Sequence, residues 1–535
     1  MPRVCSSNVH HAHVDVVTNA GTLHNLYLAN NAPGSKMVFV KKTVKTNIFS
    51  LAPQTHTSQG GTADFAGKTT WKLGRQGDYL INNWVRAEVS KCTASAALQG
   101  SGLFLRWTHN FGHNLIEDVD LNFSGVPGCQ FDEFYLDFFA AFSVPAGKRN
   151  LYDNMIGNLP EIVNPVVDVS AAQDVVQVLP EFVVNVPLPL PYTRDYGIAL
   201  PTGSIVYNEI ILNICVRDWN ELLIVSNPTD AVVNGLAPGY SRQATLADVA
   251  VAPTISSIQL WGNYAVVTSD ERKRMGKVPR DIVWEVIQSA SDMSVHTSTS
   301  NVSAYLRYSH AVKCLFFGLR NTSVKGQLSN YTTRQALCYT VPHDGVDALG
   351  NAVTMSLTAT EFPAPNAFDP IASVSLLYEG AARLDTLPID FFSMIQPYYF
   401  AYSGPTVTGY HCFSYATNFV HPEHSGSTDF GKLTNVSLDV NLSADAIAAL
   451  EGSPINSSSL PFINELGVAS ALPPGYLGHA AAGATHLNGA LSGAGVAINQ
   501  NSGFNSKKQT FELKNSCLAH TVVRHVGGGV GFPIF

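Results

Sequence analysis

The sequence predicts an all-β chain of two similar antiparallel sandwiches, and three observations carry that prediction. Apolar and polar residues alternate with period two over most of the chain, helical periodicity is confined to two brief stretches, and one stretch is written twice, far apart. In "DVDLNF", Val119, Leu121 and Phe123 fall on one face and Asp118, Asp120 and Asn122 on the other, as a half-buried strand requires. "NEIILNICVRDW" and "TNVSLDVNL" alternate in the same way. The helical stretches are "DEFYLDFFAAF" from Asp132 and "DAIAALEG" from Asp445, each good for two or three turns. Proline-bearing runs such as Val178 to Tyr192 suit edges and loops, because proline donates nothing to a central ladder.

The doubled stretch is "IEDVDLNFSG" (Ile116 to Gly125), repeated as "IASVSLLYEG" (Ile371 to Gly380), 255 residues on (371 minus 116). Downstream, Asp137, Phe138 and Phe139 correspond to Asp390, Phe391 and Phe392 at a shift of 253 (390 minus 137). "LPTGSIVYNEIILNI" has a looser echo in "HSGSTDFGKLTNVSLDVNL". Upstream, "LRWTH" (Leu105 to His109) is matched with "LRYSH" (Leu306 to His310) at a shift of only 201 (306 minus 105). That difference implies a loop enlarged by about 54 residues in the second copy, within 321–369. A period this long excludes a solenoid, whose units run to tens of residues, and indicates a duplicated domain.

At 535 residues the chain suits two large domains. The expected division is an amino-terminal arm over 1–37, a first sandwich over 38–225, a turn-rich linker over 226–254 and a second sandwich over 255–535. The second carries insertions around 321–369 and 444–508, the latter rich in Ala, Gly, Ser and Asn. Charged residues are only 13% of the chain, which leaves the polar surface to Ser, Thr, Asn and Gln and favours close contact with neighbours. A net charge of −8 with only short basic clusters predicts no direct nucleic-acid binding. The eight cysteines are scattered without a Cys-x-x-Cys pair and read as small core residues.

Site chemistry is sparse. No Gly-x-Ser-x-Gly elbow, His-Glu-x-x-His or Walker sequence occurs, and Gly527 to Gly531 has no following helix to hold a phosphate. His109, His113 and Glu117 come nearest to a metal motif. On one strand, histidines four apart would lie roughly 13 Å from each other, too far to share an ion. His10, His11 and His13, and His421, Glu423 and His424, are read as solvated. No catalytic, cofactor-binding or metal residues are expected.

The segments "LRWTHNFGHNLIEDVDLNF", "YLDFFAAFSVPAGKRNLYDNMIGN", "RDYGIALPTGSIVYNEIILNICVRDWNELLI", "WGNYAVVTSDERKRMG" and "GSTDFGKLTNVSL" resemble the major capsid protein of iridoviruses and related nucleocytoplasmic large double-stranded DNA viruses. The matches run in order from about Val38 to the terminal "GFPIF". The resemblance implies a double jelly roll, two eight-stranded sandwiches side by side, assembled as a homotrimer whose pseudo-hexagonal outline tiles an icosahedral shell. It also implies neighbouring capsomers, minor capsid and penton proteins as partners, an amino-terminal arm toward an inner membrane, and assembly in the host cytoplasm. Tyr135, Phe138, Asn154 and Met155, with Gly426 and Lys432, are the residues expected to support strand corners or contacts. The competing expectation is a tandem jelly-roll enzyme or lectin, bicupin-like or glycan-acting, which would need a metal or carboxylate site in at least one roll.

Overall fold

The computed structural model describes residues 49–163, 177–226, 241–295, 300–333, 340–346, 352–358, 369–451 and 509–531, apart from residues 62, 100, 102 and 406. The amino-terminal arm, most of the 444–508 insertion, Cys5, Cys338 and the histidines at 10, 11 and 13 lie outside the described residues. The described residues from Ser50 onward form one compact unit.

The first roll uses the strands β1 (Phe49–Thr55), β2 (Lys68–Lys72), β3 (Tyr79–Val89), β4 (Ile116–Phe123), β5 (Val126–Asp132), β6 (Phe182–Pro187), β7 (Ile210–Val216) and β8 (Ile255–Val267). The second uses β9 (Arg280–Ser289), β10 (Asn301–Tyr305), β11 (Ala311–Asn321), β12 (Ile371–Tyr378), β13 (Ala381–Pro388), β14 (His411–Ser414), β15 (Val436–Leu442) and β16 (Phe511–Val526). In the first roll one sheet runs β1-β8-β3-β6 and the other β2-β7-β4-β5; in the second the orders are β9-β16-β11-β14 and β10-β15-β12-β13. Ranked within each roll, both read first-eighth-third-sixth and second-seventh-fourth-fifth. The duplication is therefore one of whole topology, and each roll is a jelly roll.

Alternation places the cores where the sequence reading expects them. Val119, Leu121 and Phe123 of β4 are buried with Leu212 and Ile214 of β7 against Val85, Ala87, Val184 and Leu260 of the facing sheet. Val374 and Leu376 of β12, Leu438 and Val440 of β15, and Leu315, Phe317 and Leu319 of β11 fill the second roll. The repeated Ile-to-Gly stretches are β4 and β12 with the turns that follow. Ser124 and Gly125 (φ 51° and 89°) match Glu379 and Gly380 (φ 50° and 79°), a pair of positive φ values that two-residue hairpins of this hand require. Five of the six cysteines among the described residues are buried and Cys215 is half-buried.

Three expectations are corrected. Ile255–Val267 does not open the second roll: as β8 it pairs with β3 from Ile255 opposite Val89 to Ala265 opposite Tyr79. It closes the first, and helix α2 (Ser269–Lys277), following helix α1 (Glu133–Ser143) in the chain, leads into β9. Alternation marks a strand as half-buried without saying which sheet buries it, so the turn-rich stretch before it passed for a linker. Second, the "LRWTH" match fails. Leu105 lies in a strand between β3 and β4, whereas Leu306 follows β10 and precedes β11, so the two are not equivalent. The third-to-fourth connection is still longer in the second roll, 49 residues (322–370) against 26 (90–115), and carries the hairpin Thr340–Val346 with Ala352–Thr358. Third, His109 to Glu117 is no single strand but a turn, a helix over Phe111–Leu115 and the start of β4.

Candidate functional site

The seam between the rolls is built on α1. Asp132 caps it by accepting from the Tyr135 amide at 3.1 Å, and Glu133 stands in its first turn, where the helix dipole favours an acid. The amphipathic face expected of a surface helix is missing: all its residues from Glu133 to Phe142 are buried. The reason is that one side covers its own roll and the other lies on β11. While Leu315, Phe317 and Leu319 point into the second roll, Cys314, Phe316, Gly318 and Arg320 point out of it toward α1. Phe142 stacks on Phe316 at 5.8 Å between centroids, and Phe138 meets Tyr331 at 5.1 Å and Tyr410 at 4.8 Å. Gly318 admits this approach, since a Cβ there would stand 2.6 Å from the Phe138 ring. Aromatic pairs of this kind add about 0.5–1.5 kcal/mol each beyond their area burial.

Buried charges fix the register of the seam. Glu133 is paired with Arg320 of β11 at 2.9 Å and with Arg217 at 3.2 Å. Burial works against its charge, but the two guanidinium groups outweigh it and hold the carboxyl below the usual glutamate range. Glu285 of β9 binds Lys313 at 2.9 Å and Arg194 of the first roll at 2.8 Å, and the Arg194 guanidinium lies 4.1 Å from the centre of the Phe139 ring. Burial lowers the Lys313 pKa, with Glu285 offsetting part of the shift. Asp137 holds His113 at 2.6 Å and Asn110 at 3.1 Å, and accepts from Ser329 of the second roll.

The expected residues divide by place. Tyr135 and Phe138 are fully buried in this seam. Asn154 is exposed, and its carbonyl accepts from the Ile156 and Gly157 amides at the end of the helix Arg149–Met155. Met155 lines a cleft of about 480 Å³ with Trp84, Pro187, Asn263 and Tyr402. Lys432 is exposed and pairs with Asp429 at 3.3 Å. Gly426 has φ +144°, and a Cβ there would stand 2.6 Å from the Tyr415 carbonyl oxygen. Gly426→Val should therefore cost roughly 1–3 kcal/mol and lower the yield of assembled particles; unchanged yield on a sizing column would show that the loop simply shifts.

The histidine motif disperses. His113 is committed to Asp137 and to the Tyr152 hydroxyl at 2.7 Å, and Glu117 points to solvent. Among the described residues, no three His, Cys, Asp or Glu side chains converge as metal ligands.

Two jelly rolls locked by a buried seam make the architecture a double jelly roll. Solved structures of this class share the fold: a chain of the PBCV-1 virus capsid, with TM-score 0.60 and 17% identity over 93% of this chain and 99% of that one; and the Faustovirus major capsid protein, with TM-score 0.58 and 11% identity over 91% and 92%. Family profiles described as "Major capsid protein N-terminus" and "Large eukaryotic DNA virus major capsid protein" match residues 37–267 and 271–464, meeting where β8 gives way to α2. The major capsid protein of Invertebrate iridescent virus 6 is 34% identical over 99% of both chains, and that of Lymphocystis disease virus 1 is 35% identical over 100% of both. The chain belongs to the major capsid protein family of large eukaryotic DNA viruses. It is a structural component of the virion capsid, which assembles with other capsid components, and not an enzyme.

The Glu133–Arg320 pair, Glu285 and the outward face of β11 escaped the sequence reading. Long-range pairs leave no local pattern, though an Arg and a Lys inside the apolar run "AVKCLFFGLRN" are a usable signal, because such a strand must hold its charges against something buried.

Proposed function

We propose that three copies of this chain form a pseudo-hexagonal capsomer that tiles the flat facets of the icosahedral shell. The observation that carries the reading is the identical strand order of two rolls within one compact unit. Three such chains around a threefold axis present six comparable lobes, and a closed ring of lobes packs like a hexamer. The seam keeps the lobes in fixed relation, as a tile requires.

The finer partners belong to the same reading: neighbouring capsomers at the edges, penton and minor capsid proteins at vertices and seams, and an inner membrane facing the segment 1–37, with assembly in the host cytoplasm. Native mass by light scattering, followed by negative-stain imaging, tests the capsomer. A particle of three times 57.5 kDa with a hexagonal outline is expected, and a stable monomer at assembly concentration would overturn it. The placement of the arm predicts that Met1–Ser35 is cut by protease in free trimers and protected in intact capsids; equal cutting in both would refute it.

A further inference from the structure

The duplication pairs α1 with the segment after β13, a wide helical turn over Phe391–Ile395 that runs into helix α3 (Gln396–Phe400). At the shift of 253, Phe142 corresponds to Ile395 and Ala141 to Met394 (142 and 141 plus 253). Their surroundings differ. Phe142 is 0% exposed beneath Phe316 and Phe419 of the second roll, whereas Ile395 is 44% exposed and Met394 50%. Tyr398 and Tyr399, one turn on, are 81% and 68% exposed. Among the described residues, this second copy of the seam helix has no roll lying on it.

The complementary face is also present. Phe316, which receives α1, sits outward in the middle of the third strand of its roll; the outward residue at that place in β3 is Trp84. Trp84 is opposite Trp261 of β8 in register, and the two rings stack at 6.1 Å. Both are half-buried, and Arg86 and Gln259 continue the same outward face. Among the described residues, each chain thus has one filled donor–acceptor pair, α1 on β11, and one unfilled donor and one unfilled acceptor of the same kind.

Resting on the trimer reading, we infer that the Met394–Tyr399 face of one copy docks on the Trp84–Trp261 face of the next, reproducing between chains the seam that α1 makes within one. A second copy of this chain is the occupant because the donor and acceptor are repeats of surfaces that already fit each other. The contact is head-to-tail, so two copies leave one donor and one acceptor open and the third closes the ring. Exposed aromatics beside apolar neighbours, with little charge, are the composition expected at the centre of such an interface.

The test uses the full chain with two variants. Tyr398→Glu/Tyr399→Glu blocks the donor at exposed positions, and Trp261→Glu blocks the acceptor. Each should keep the wild-type circular dichroism spectrum yet lose the trimer, a fall of roughly tenfold or more at a fixed concentration. Mixed together, the two variants should give a species of two chains and nothing larger, because only one donor–acceptor pair remains. Donor variants that still form trimers would overturn this surface while leaving the trimer standing. Folded variants that stay monomeric when mixed would overturn the pairing of these two faces. A monomeric wild type would instead remove the reading on which it rests.

Discussion

Arg320→Leu should cost the chain about 3–5 kcal/mol, the range for breaking a buried ion pair by removing one partner. Glu133 would keep the half-buried Arg217 but lose its closer partner in a site where Glu133 and Arg320 are both withdrawn from water. The loss comes from the carboxylate left short of compensation rather than from the bond itself, which separates this prediction from simple counting of contacts. Arg320→Leu with Glu133→Gln should therefore be less damaging than Arg320→Leu alone, since the stranded charge is gone. Urea unfolding of the two variants against wild type measures both quantities. A single-variant loss below about 1 kcal/mol would mean that water reaches the seam and that the pair contributes as a surface bridge does.

Acidification should unfold the protein before its carboxylate pairs titrate. His56, His520 and His525 are buried, and burial lowers each to about 4 from an ordinary 6.5. A histidine depressed in the folded state stabilises it above the unfolded value, and that contribution is lost as pH falls from 6.5 toward 4. Three such groups acting together make the loss steep, on the order of several kcal/mol in sum. Asp132 opposes them: burial first, and then the charge of Glu133, push its carboxyl up to about 6, so its protonated form favours the fold as pH drops. One group set against three does not reverse the sign. Unfolding free energies at pH 7.5 and pH 5.0 should differ clearly in favour of the higher pH, and His525→Gln should shrink the difference. Equal stability at both values would show that these imidazoles are open to water.

How much of this was legible follows from range. The alternation in "DVDLNF" and "NEIILNICV" reports a one-sided burial that any partner sheet satisfies, and it placed β4 and β7 correctly. It could not say that Ile255–Val267 belongs with Tyr79–Val89, because pairing across 166 to 186 residues (255 minus 89, 265 minus 79) leaves no trace in either strand. The repeat did better. Ile116–Gly125 and Ile371–Gly380 share a turn with two positive φ values, a local constraint that both copies must meet. "LRWTH" and "LRYSH" share no such constraint and mark different places. Of the six candidate residues, Tyr135 and Phe138 stand in the seam; α1 is visible in sequence as a brief helical stretch, but Glu133 and Asp137, four apart on one face, read as a polar side and conceal that this side is buried too. The partner of that stretch, and the unpaired state of its copy at Met394–Tyr399, emerge only when both rolls are laid side by side.

The position of β16 has a consequence for synthesis. It lies between β9 and β11 at the heart of its sheet, yet it leaves the ribosome long after both. From the end of β11 to the start of β16 the chain grows by 190 residues (511 minus 321), roughly 10 to 40 s at 5–20 residues per second. The first roll can close once residue 267 has emerged, while β11 waits with an open ladder edge. A nascent second roll is thus the aggregation-prone species in this protein's life, and a holding factor that binds exposed strand edges during that interval would raise the yield of folded chain more than one acting after release.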